Sequence, residues 1–556
     1  MGCSCPHRAR ECAGVHCRPP VSRTRWGNCA SGDPAPRRAN SVVRRGRRDY
    51  LSGAPNAPVM LAATTQRQNT THRKLADSLH RFIVEGTLRP GEKLPSVRAM
   101  ARQRGVSTGT VVKAYGLLEN LGELEVRPQS GFYVRPRAAL VDYPLPRMAP
   151  PMARPSYVGV DDLAADVMTT SAMPVNVAFG WATPDPELFP NRRLARMLTS
   201  IIRDDPALLA RSPLNWGHQP LAREIARRYV HAGVALSHAE VLVTVGCTEA
   251  VNLCVRAVAK PGDTVALETP FSFGLRQSLQ SLGVRVLEIP TCAQEGLHLD
   301  ALRAAMAARK IAAVILMPNF QNPLGCSMSD AHKGALYGLL QEFDLPAVED
   351  DVYSELHFGP LCPKPLKAWD TDGRVLLCGS FTKTLTPGFR VGWCAPGRYL
   401  EPVRRLKMAN TMGTPLVLQK TITDFLRLGG YDHHLRGLRR TYRRNLRLYA
   451  DSLRRSCPAG TRLSQPDGGY VLWVEFPPGV DSVRLYQDAM RHKVSIAPGR
   501  LFSAQPVYNH CIRLNASSPW SERIETALRL LGRLAKAQLV AAGERPAVVQ
   551  STPSGS

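Results

Sequence analysis

The sequence predicts an α/β protein in which a small, basic helical unit ending in a hairpin precedes a large domain built on a mostly parallel central sheet. Three observations lead there. At 556 residues the chain exceeds one ordinary domain, commonly about 100–150 residues. From about 68 to 136, apolar residues recur at helical spacing and then give way to two short strand patterns around a turn. From about 175 to 540, short apolar strands alternate with helical segments, the arrangement of βα units around a parallel sheet.

Composition narrows the class. With 44% hydrophobic and 21% charged residues, the chain reads as soluble and globular. No apolar run approaches the roughly 20 residues that cross a bilayer. The start shows no charged segment followed by an apolar stretch and a small-residue cleavage site, so a cytoplasmic protein with no membrane partner is expected. The formal charge of +27 favours an anionic partner, nucleic acid first, the alternative being an arginine-rich composition with no function attached. Of the 14 cysteines, Cys247, Cys254, Cys326, Cys378 and Cys394 sit in or beside apolar segments, which favours reduced thiols over a disulfide framework.

Residues 1–66 are rich in Arg, Pro, Gly, Ser and Ala without a period that builds a core, and disorder is expected. A start at Met60 accounts for them equally. Cys3, Cys5, Cys12, Cys17 and Cys29 with His7 and His16 lack paired C-x-x-C knuckles, so no metal site is expected. Residues 67–136 form the basic unit, 137–174 a Pro-rich extended linker, 175–540 the large domain, and 541–556 a disordered tail.

Within the basic unit, Leu75, Leu79, Phe82 and Ile83 mark a first helix that the stretch from Gly86 to Gly91 breaks. Ser96 is placed to cap a second helix through Ala101 and Arg104, with Gly105 as its stop. Ser107 caps a third, whose Val111, Tyr115 and Leu118 share a buried face and leave Thr108, Thr110 and Lys113 on others. Such a helix suits the major groove, with its N-terminus and hydroxyls toward phosphate and Arg98 and Lys113 as contacts. Leu124 to Val126 and Phe132 to Val134 flank Pro128-Gln129-Ser130-Gly131 as a hairpin, the wing. A small helical interaction module with a solvated basic surface remains the plainer alternative.

The run Gly86-Thr87-Leu88-Arg89-Pro90-Gly91-Glu92-Lys93-Leu94-Pro95-Ser96-Val97-Arg98, then Gly105-Val106-Ser107, Thr110-Val111, Tyr115 and Arg127-Pro128-Gln129-Ser130-Gly131-Phe132-Tyr133-Val134, closely resembles the GntR-type winged helix-turn-helix. That resemblance implies binding to a double-stranded DNA operator, with Ser96, Arg98, Ser107, Thr110, Lys113, Ser130 and Gly131 near phosphate or base.

In the large domain, pyridoxal 5'-phosphate chemistry needs a lysine for the aldehyde, an acid beside the ring nitrogen, a phosphate cradle and donors to the phenolic oxygen. Each has a candidate. Ser380-Phe381-Thr382-Lys383 follows the apolar strand Val375 to Cys378, with Arg390 seven positions beyond Lys383. Burial beside a cation lowers a lysine pKa and favours the attacking amine. A lone lysine after a strand is ordinarily a surface residue, so the case rests on its partners. Asp350 ends a short strand from Pro346, at the carboxyl edge where α/β sheets bind ligands. Tyr353 and Asn322, the latter after the strand Ile311 to Met317, are placed as donors to the phenolic oxygen. Strand Val241 to Val245 runs through Gly246, Cys247 and Thr248 into a helix, a dianion site of amides and dipole to which Ser380 and Arg390 add. Arg513 is the candidate for an amino-acid carboxylate, against the alternative of an ordinary strand-edge arginine.

Together these positions resemble the fold type I aminotransferases over almost all of 175–540, and the whole chain resembles the MocR subfamily of GntR regulators. The resemblance implies that Lys383 bonds the cofactor, that Asp350, Asn322 and Tyr353 hold its ring, that Arg513 binds substrate, and that the protein is a homodimer sensing pyridoxal phosphate or an amino compound. Departures bear on turnover. Ser272, within Pro270-Phe271-Ser272-Phe273-Gly274, stands where family members often carry tyrosine over the ring, leaving Phe271 or Phe273 to stack. The stretch Pro213 to His218 lacks a clear tyrosine for the phosphate. Two alternatives stay open: a working aminotransferase (a transaminase) with an accessory DNA-binding domain, and a DNA-binding protein whose large domain is only a dimerisation scaffold.

Overall fold

A computed structural model describes residues 71–543 except 86, 90, 121–122, 128–129, 135–143, 153, 158–161, 174–176 and 213–216. The extension 1–66, with its cysteines, histidines and Met60, and the tail from 544 onward lie outside the described residues.

The basic unit is three helices and a hairpin: α1 (Thr71–Val84), α2 (Val97–Arg104), α3 (Thr108–Asn120), β1 (Leu124–Arg127) and β2 (Gly131–Val134). Ser96 caps α2 by accepting from the Ala99 amide, and Gly105 ends it in the left-handed conformation, φ 62°, that costs a residue without Cβ least. The Ser107 hydroxyl accepts from the Thr110 amide at 3.1 Å and so starts α3. Val111, Tyr115 and Leu118 are fully buried against Leu75, Leu79, Ile83, Met100, Leu124 and Val134, one core fed by every element of the unit. The Tyr115 hydroxyl donates to the Pro95 carbonyl, which pins α3 to the turn before α2.

The expectation of an extended linker over 137–174 needs correction. Residues 144–147 lie along the small sheet described below, where the Arg147 amide donates to Glu475 Oε2. Then β3 (Ser156–Tyr157) joins the edge of the main sheet, and α4 (Asp162–Ser171) buries Ala164 and Val167 in a large-domain core. The prolines dominate the composition as far as Pro155, but Ala164 and Val167 after them stand at helical spacing, and a buried apolar stripe outweighs neighbouring prolines.

Next come β4 (Val177–Ala178), α5 (Asn191–Asp204), α6 (Gln219–His231), β5 (Leu242–Thr244), α7 (Gly246–Val258), β6 (Thr264–Thr269), α8 (Phe273–Ser281), β7 (Arg285–Cys292) and β8 (Gly296–Leu297). They are followed by α9 (Leu299–Ala308), β9 (Ala313–Leu316), α10 (Asp330–Glu342), β10 (Ala347–Asp350), β11 (Val375–Ser380), β12 (Gly392–Ala395), α11 (Leu400–Asn410), α12 (Leu416–Arg427) and α13 (Gly430–Ser456). The strand order of the main sheet is β3-β7-β6-β9-β10-β11-β12-β5, with β8 on β7. From β7 to β11 all neighbours are parallel, while β12 is antiparallel to both β11 and β5. Side chains alternate across it. Val265, Leu267, Ile315, Val348, Leu376 and Cys378 enter one core, while Ala266, Val314, Leu316, Ala347 and Val375 enter the other. A sheet covered on both faces explains why β9 and the first four residues of β11 read as unbroken apolar runs.

The chain closes with β13 (Arg462–Leu463), β14 (Val471–Glu475), α14 (Ser482–Arg491), β15 (Val494–Ser495), β16 (Ala497–Pro498), β17 (Cys511–Asn515) and α15 (Glu522–Ala541). Strands β13, β14, β17 and β16 form an antiparallel sheet in that order, and β15 pairs with β4. Among the described residues, Cys247, Cys254, Cys326, Cys378 and Cys394 are all free thiols, and no helix is long and apolar enough to cross a membrane.

Candidate functional site

Parallel pairing from β6 to β11, and two reversals through β12 to β5, turn the carboxyl ends of β5, β6, β9, β10 and β11 to the same side of the sheet. There they open a cavity of about 550 Å³ whose wall includes Cys247, Thr248, Asn322, Asp350, Tyr353, Ser380, Lys383, Arg390 and Arg513. Cys247, Asn322, Asp350 and Lys383 share one space because the strands they end or follow lie in one sheet, and Arg513 reaches the same space from β17 of the small antiparallel sheet.

Lys383 follows β11. Its ammonium donates to the Ala182 carbonyl at 2.5 Å, and the Tyr470 hydroxyl donates to the same oxygen at 3.0 Å. Burial, helped by the charges of Arg513 and Arg390 and opposed by Asp350, pulls its pKa down to about 8. A nucleophilic amine is therefore within reach near neutral pH. Asp350 ends β10 and accepts from the Cys247 thiol at 3.3 Å. Burial pushes its carboxyl up to about 6, against the pull of Cys247 and Lys383. It is still mostly ionised at pH 7, poised to pair with a ring N–H.

The Tyr353 phenol, pushed up to about 12 chiefly by burial, stays protonated. Asn322 Oδ1 accepts from Arg513 Nη1 at 3.4 Å, and Arg513 Nη2 donates to the Gly180 carbonyl. Arg513, from β17, is 1% exposed, and burial lowers its pKa to about 10, so it remains a cation. The strand-edge reading of Arg513 gives way, since β17 is flanked by β14 and β16 and the side chain is fully enclosed.

At the other end, Gly246 begins α7 with φ 75°, and a Cβ there would stand 2.6 Å from Arg390 Nη2. The Arg390 guanidinium therefore packs directly over this glycine. Val245, which precedes α7, makes no side-chain cap, so the first amides of the helix remain available to an anion, with the Thr248 side chain on the same wall. The Thr382 hydroxyl is buried with no partner, although its amide donates to Ser380 Oγ. The Arg513 Nε is also buried without a partner. Two unmatched polar groups in the wall of one cavity, on Thr382 and on Arg513, fit a ligand that carries both a phosphate and a carboxylate.

Sequence reasoning missed several wall residues: Met168 of α4, Trp181, Glu268 and Thr382. Thr382 lies between two residues already singled out and was within reach. Nothing near Met168 or Trp181 in the chain marks them. Glu268 accepts from the Met317 amide at 2.8 Å, and burial pushes its carboxyl up to about 8. Phe271, Ser272 and Phe273 all line the cavity, while 213–216 lie outside the described residues.

The second candidate surface is the basic unit. Arg98, Ser96, Ser107 and Lys113 are exposed, and Thr110 is half-buried. The Ser107 and Thr110 hydroxyls share a hydrogen bond of 2.9 Å at the start of α3. At the wing, Ser130 is exposed and pairs with the Tyr133 hydroxyl at 2.7 Å, and Gly131 takes φ 116°. Arg127 stacks over the Tyr133 ring at 4.2 Å, with Lys93 5.8 Å from the same ring. Those two cations add to the wing a charge that motif reading did not assign.

Residues 192–531 match the family of class I and II aminotransferases, and residues 71–134 match the gntR family of bacterial regulatory proteins. The uncharacterised HTH-type transcriptional regulator YdcR of Escherichia coli K12 is 38% identical over 470 residues, 84% of this chain and 99% of that protein. The probable rhizopine catabolism regulatory protein MocR of Rhizobium meliloti is 29% identical over 435 residues, 77% of this chain and 86% of that protein. Among solved structures, the α-aminoadipate aminotransferase LysN of Thermus thermophilus, complexed with N-(5'-phosphopyridoxyl)-L-leucine, has a TM-score of 0.64 at 28% identity, covering 69% of this chain and 97% of that one.

Proposed function

Since the chain belongs to the MocR subfamily of GntR-type regulators, we propose that it is a cytoplasmic, homodimeric transcription regulator that binds a double-stranded DNA operator through its winged helix. Its large domain senses pyridoxal phosphate or an amino compound. The observation that carries this reading is the convergence of Lys383, Asp350 and Arg513 on one cavity of a chain that also holds a complete winged helix.

When bound, pyridoxal phosphate supplies an electron-accepting ring and an aldehyde that amines can bond. Lys383 is the residue that bonds it, and Asp350 holds the proton of its ring nitrogen. Tyr353 and Asn322 donate to its phenolic oxygen. Gly246, Cys247 and Thr248 offer the α7 amides to its phosphate, with Ser380, Arg390 and the unmatched Thr382 hydroxyl closing the cradle. Arg513 takes the carboxylate of an amino compound. On DNA, Arg98 and Lys113 meet phosphate or base, the hydroxyl-bearing Ser96, Ser107 and Thr110 sit at helix starts toward phosphate, and Ser130 and Gly131 form the wing tip. A ligand moves the DNA-binding equilibrium only by preferring one arrangement of the two domains over another.

One observation favours a second reading. An amine held near pH 8 beside an intact carboxylate binder is also what a working aminotransferase requires. Visible absorption of the purified protein with added pyridoxal phosphate, followed through titration with amino compounds and run beside binding to its own upstream DNA, separates the two. A cofactor band together with a ligand-dependent DNA shift supports the sensor. Many turnovers with a keto acid and no DNA shift support the enzyme. Absence of any cofactor band refutes both.

A further inference from the structure

The wall around Arg513 carries information about the ligand beyond the presence of an amine and a carboxylate. Among the described residues, three cations line the cavity: Lys383, Arg390 and Arg513. In the function proposed above, Lys383 bonds the cofactor and Arg390 faces its phosphate. Among the described residues, Arg513 is then the one lining cation left for ligand, enough for a single carboxylate. Among the described residues, two carboxyls line the wall. Asp350 accepts from the Cys247 thiol and faces the ring, and Glu268 accepts from the Met317 amide. Burial pushes the Glu268 carboxyl up to about 8, so it is chiefly neutral near pH 7, and Asp350 is turned to the ring, so neither offers a second amine a counter-charge.

The space beside Arg513 is instead aromatic. Its guanidinium lies 5.7 Å from the Phe273 ring and 5.5 Å from the Phe502 ring. Trp181 stands 5.6 Å from Phe273 between ring centroids, and Trp181 directly follows Gly180, whose carbonyl accepts from Arg513. Met168 packs against the same core as Phe273 and Trp181 and extends this apolar wall. The side chain of an amino acid leaves its Cα one bond from the carboxylate, so a carboxylate held by Arg513 sends that side chain among these rings.

We propose that the ligand of the sensing cavity is an amino acid with one carboxylate and an apolar side chain, and that Met168, Trp181 and Phe273 form the subsite that selects it. This inference rests on the proposed function, because it needs the cofactor to occupy the other two cations. Dicarboxylic amino acids bring a charge with no partner into an apolar subsite, and diamines bring a second ammonium and no group for Arg513; both are disfavoured by desolvation. Each additional buried methylene favours binding by roughly fourfold.

The test is isothermal titration calorimetry on the full-length protein loaded with pyridoxal phosphate, using L-phenylalanine, L-leucine, L-alanine, L-glutamate and putrescine. Phenylalanine and leucine are expected to bind at least about tenfold tighter than the other three. The Trp181→Ala variant is expected to lose most of that preference while keeping the cofactor absorbance of the parent. Trp181→Arg, at a partly exposed position, is expected to shift preference toward glutamate. Tightest binding by glutamate or putrescine, or no amino acid binding to loaded protein, overturns the proposal and leaves the cofactor reading intact. Failure to load cofactor at all removes the functional reading, and this inference with it.

Discussion

Asp350 is held at a thermodynamic disadvantage in the cofactor-free protein, and replacing it should reveal by how much. Burial raises its pKa from the ordinary 3.8 to about 6. Between those values the folded chain binds a proton that the unfolded chain releases, so stability falls as pH rises through this window and stays lower above it. At about 1.4 kcal/mol for each pH unit, the loss above pH 6 amounts to about 3 kcal/mol. Asp350→Asn keeps the shape, removes the charge and still accepts from the Cys247 thiol. The cofactor-free variant is therefore expected to be more stable than the parent at pH 7.5, by up to about 3 kcal/mol, with the advantage gone below about pH 4. The same variant should load pyridoxal phosphate poorly, because a ring N–H loses its anionic partner. Thermal melting of both proteins without cofactor at pH 7.5 and pH 4, beside cofactor titration by visible absorption, measures both effects. Equal or lower stability of Asp350→Asn at pH 7.5 would refute the reasoning, since it would mean that the carboxylate is already compensated by the protein alone. The pattern expected is that of a site whose charge is matched by its ligand rather than by the fold.

Three further outcomes follow from the same geometry. Gly246→Ala places a methyl against the Arg390 guanidinium and forces a Cβ into φ 75°, so pyridoxal phosphate affinity is expected to fall at least about tenfold in an absorption titration, the loss of one charge-assisted hydrogen bond; unchanged affinity would place the phosphate elsewhere. Lys383 makes cofactor capture pH-dependent, with a rate that rises from pH 6 and levels above about 8 as the amine loses its proton, while Lys383→Ala abolishes the band and leaves basal DNA affinity within about twofold. A flat stopped-flow profile from pH 6 to 9 would remove the lysine from the rate-determining protonation. Arg98→Ala should weaken operator binding about tenfold and reduce the slope of log affinity against log salt by about one, without altering cofactor uptake; an undiminished gel shift at two salt concentrations rejects its placement.

Much of this protein was legible from local sequence, and the reason is specific. Ser96, Gly105 and Ser107 act on hydrogen bonds within three or four residues of themselves, so the capping pattern alone located α2 and α3. The runs through Val314 and Leu376 are apolar because helices cover both faces of the sheet, and that signature is also local. Lys383, Asp350, Asn322 and Gly246 follow or end strands, and a parallel sheet places such positions together by its pairing rules.

Other features were decided only in three dimensions. The prolines up to Pro155 concealed that α4 belongs to the large domain, and nothing local marked Met168 as part of the cavity wall. Trp181 faces Phe273 only because the segment after β4 passes Arg513, whose guanidinium is bound to the Gly180 carbonyl. The depressed pKa of Lys383 and the raised one of Asp350 arise from burial and from charges on β17, β10 and the loop after β11, which are separated by more than a hundred residues of chain in two of the three pairings. Sequence determined which groups the cavity could contain, because capping and strand alternation are short-range. Tertiary packing decided their protonation and the apolar character of the ligand subsite, because desolvation depends on everything that surrounds a group.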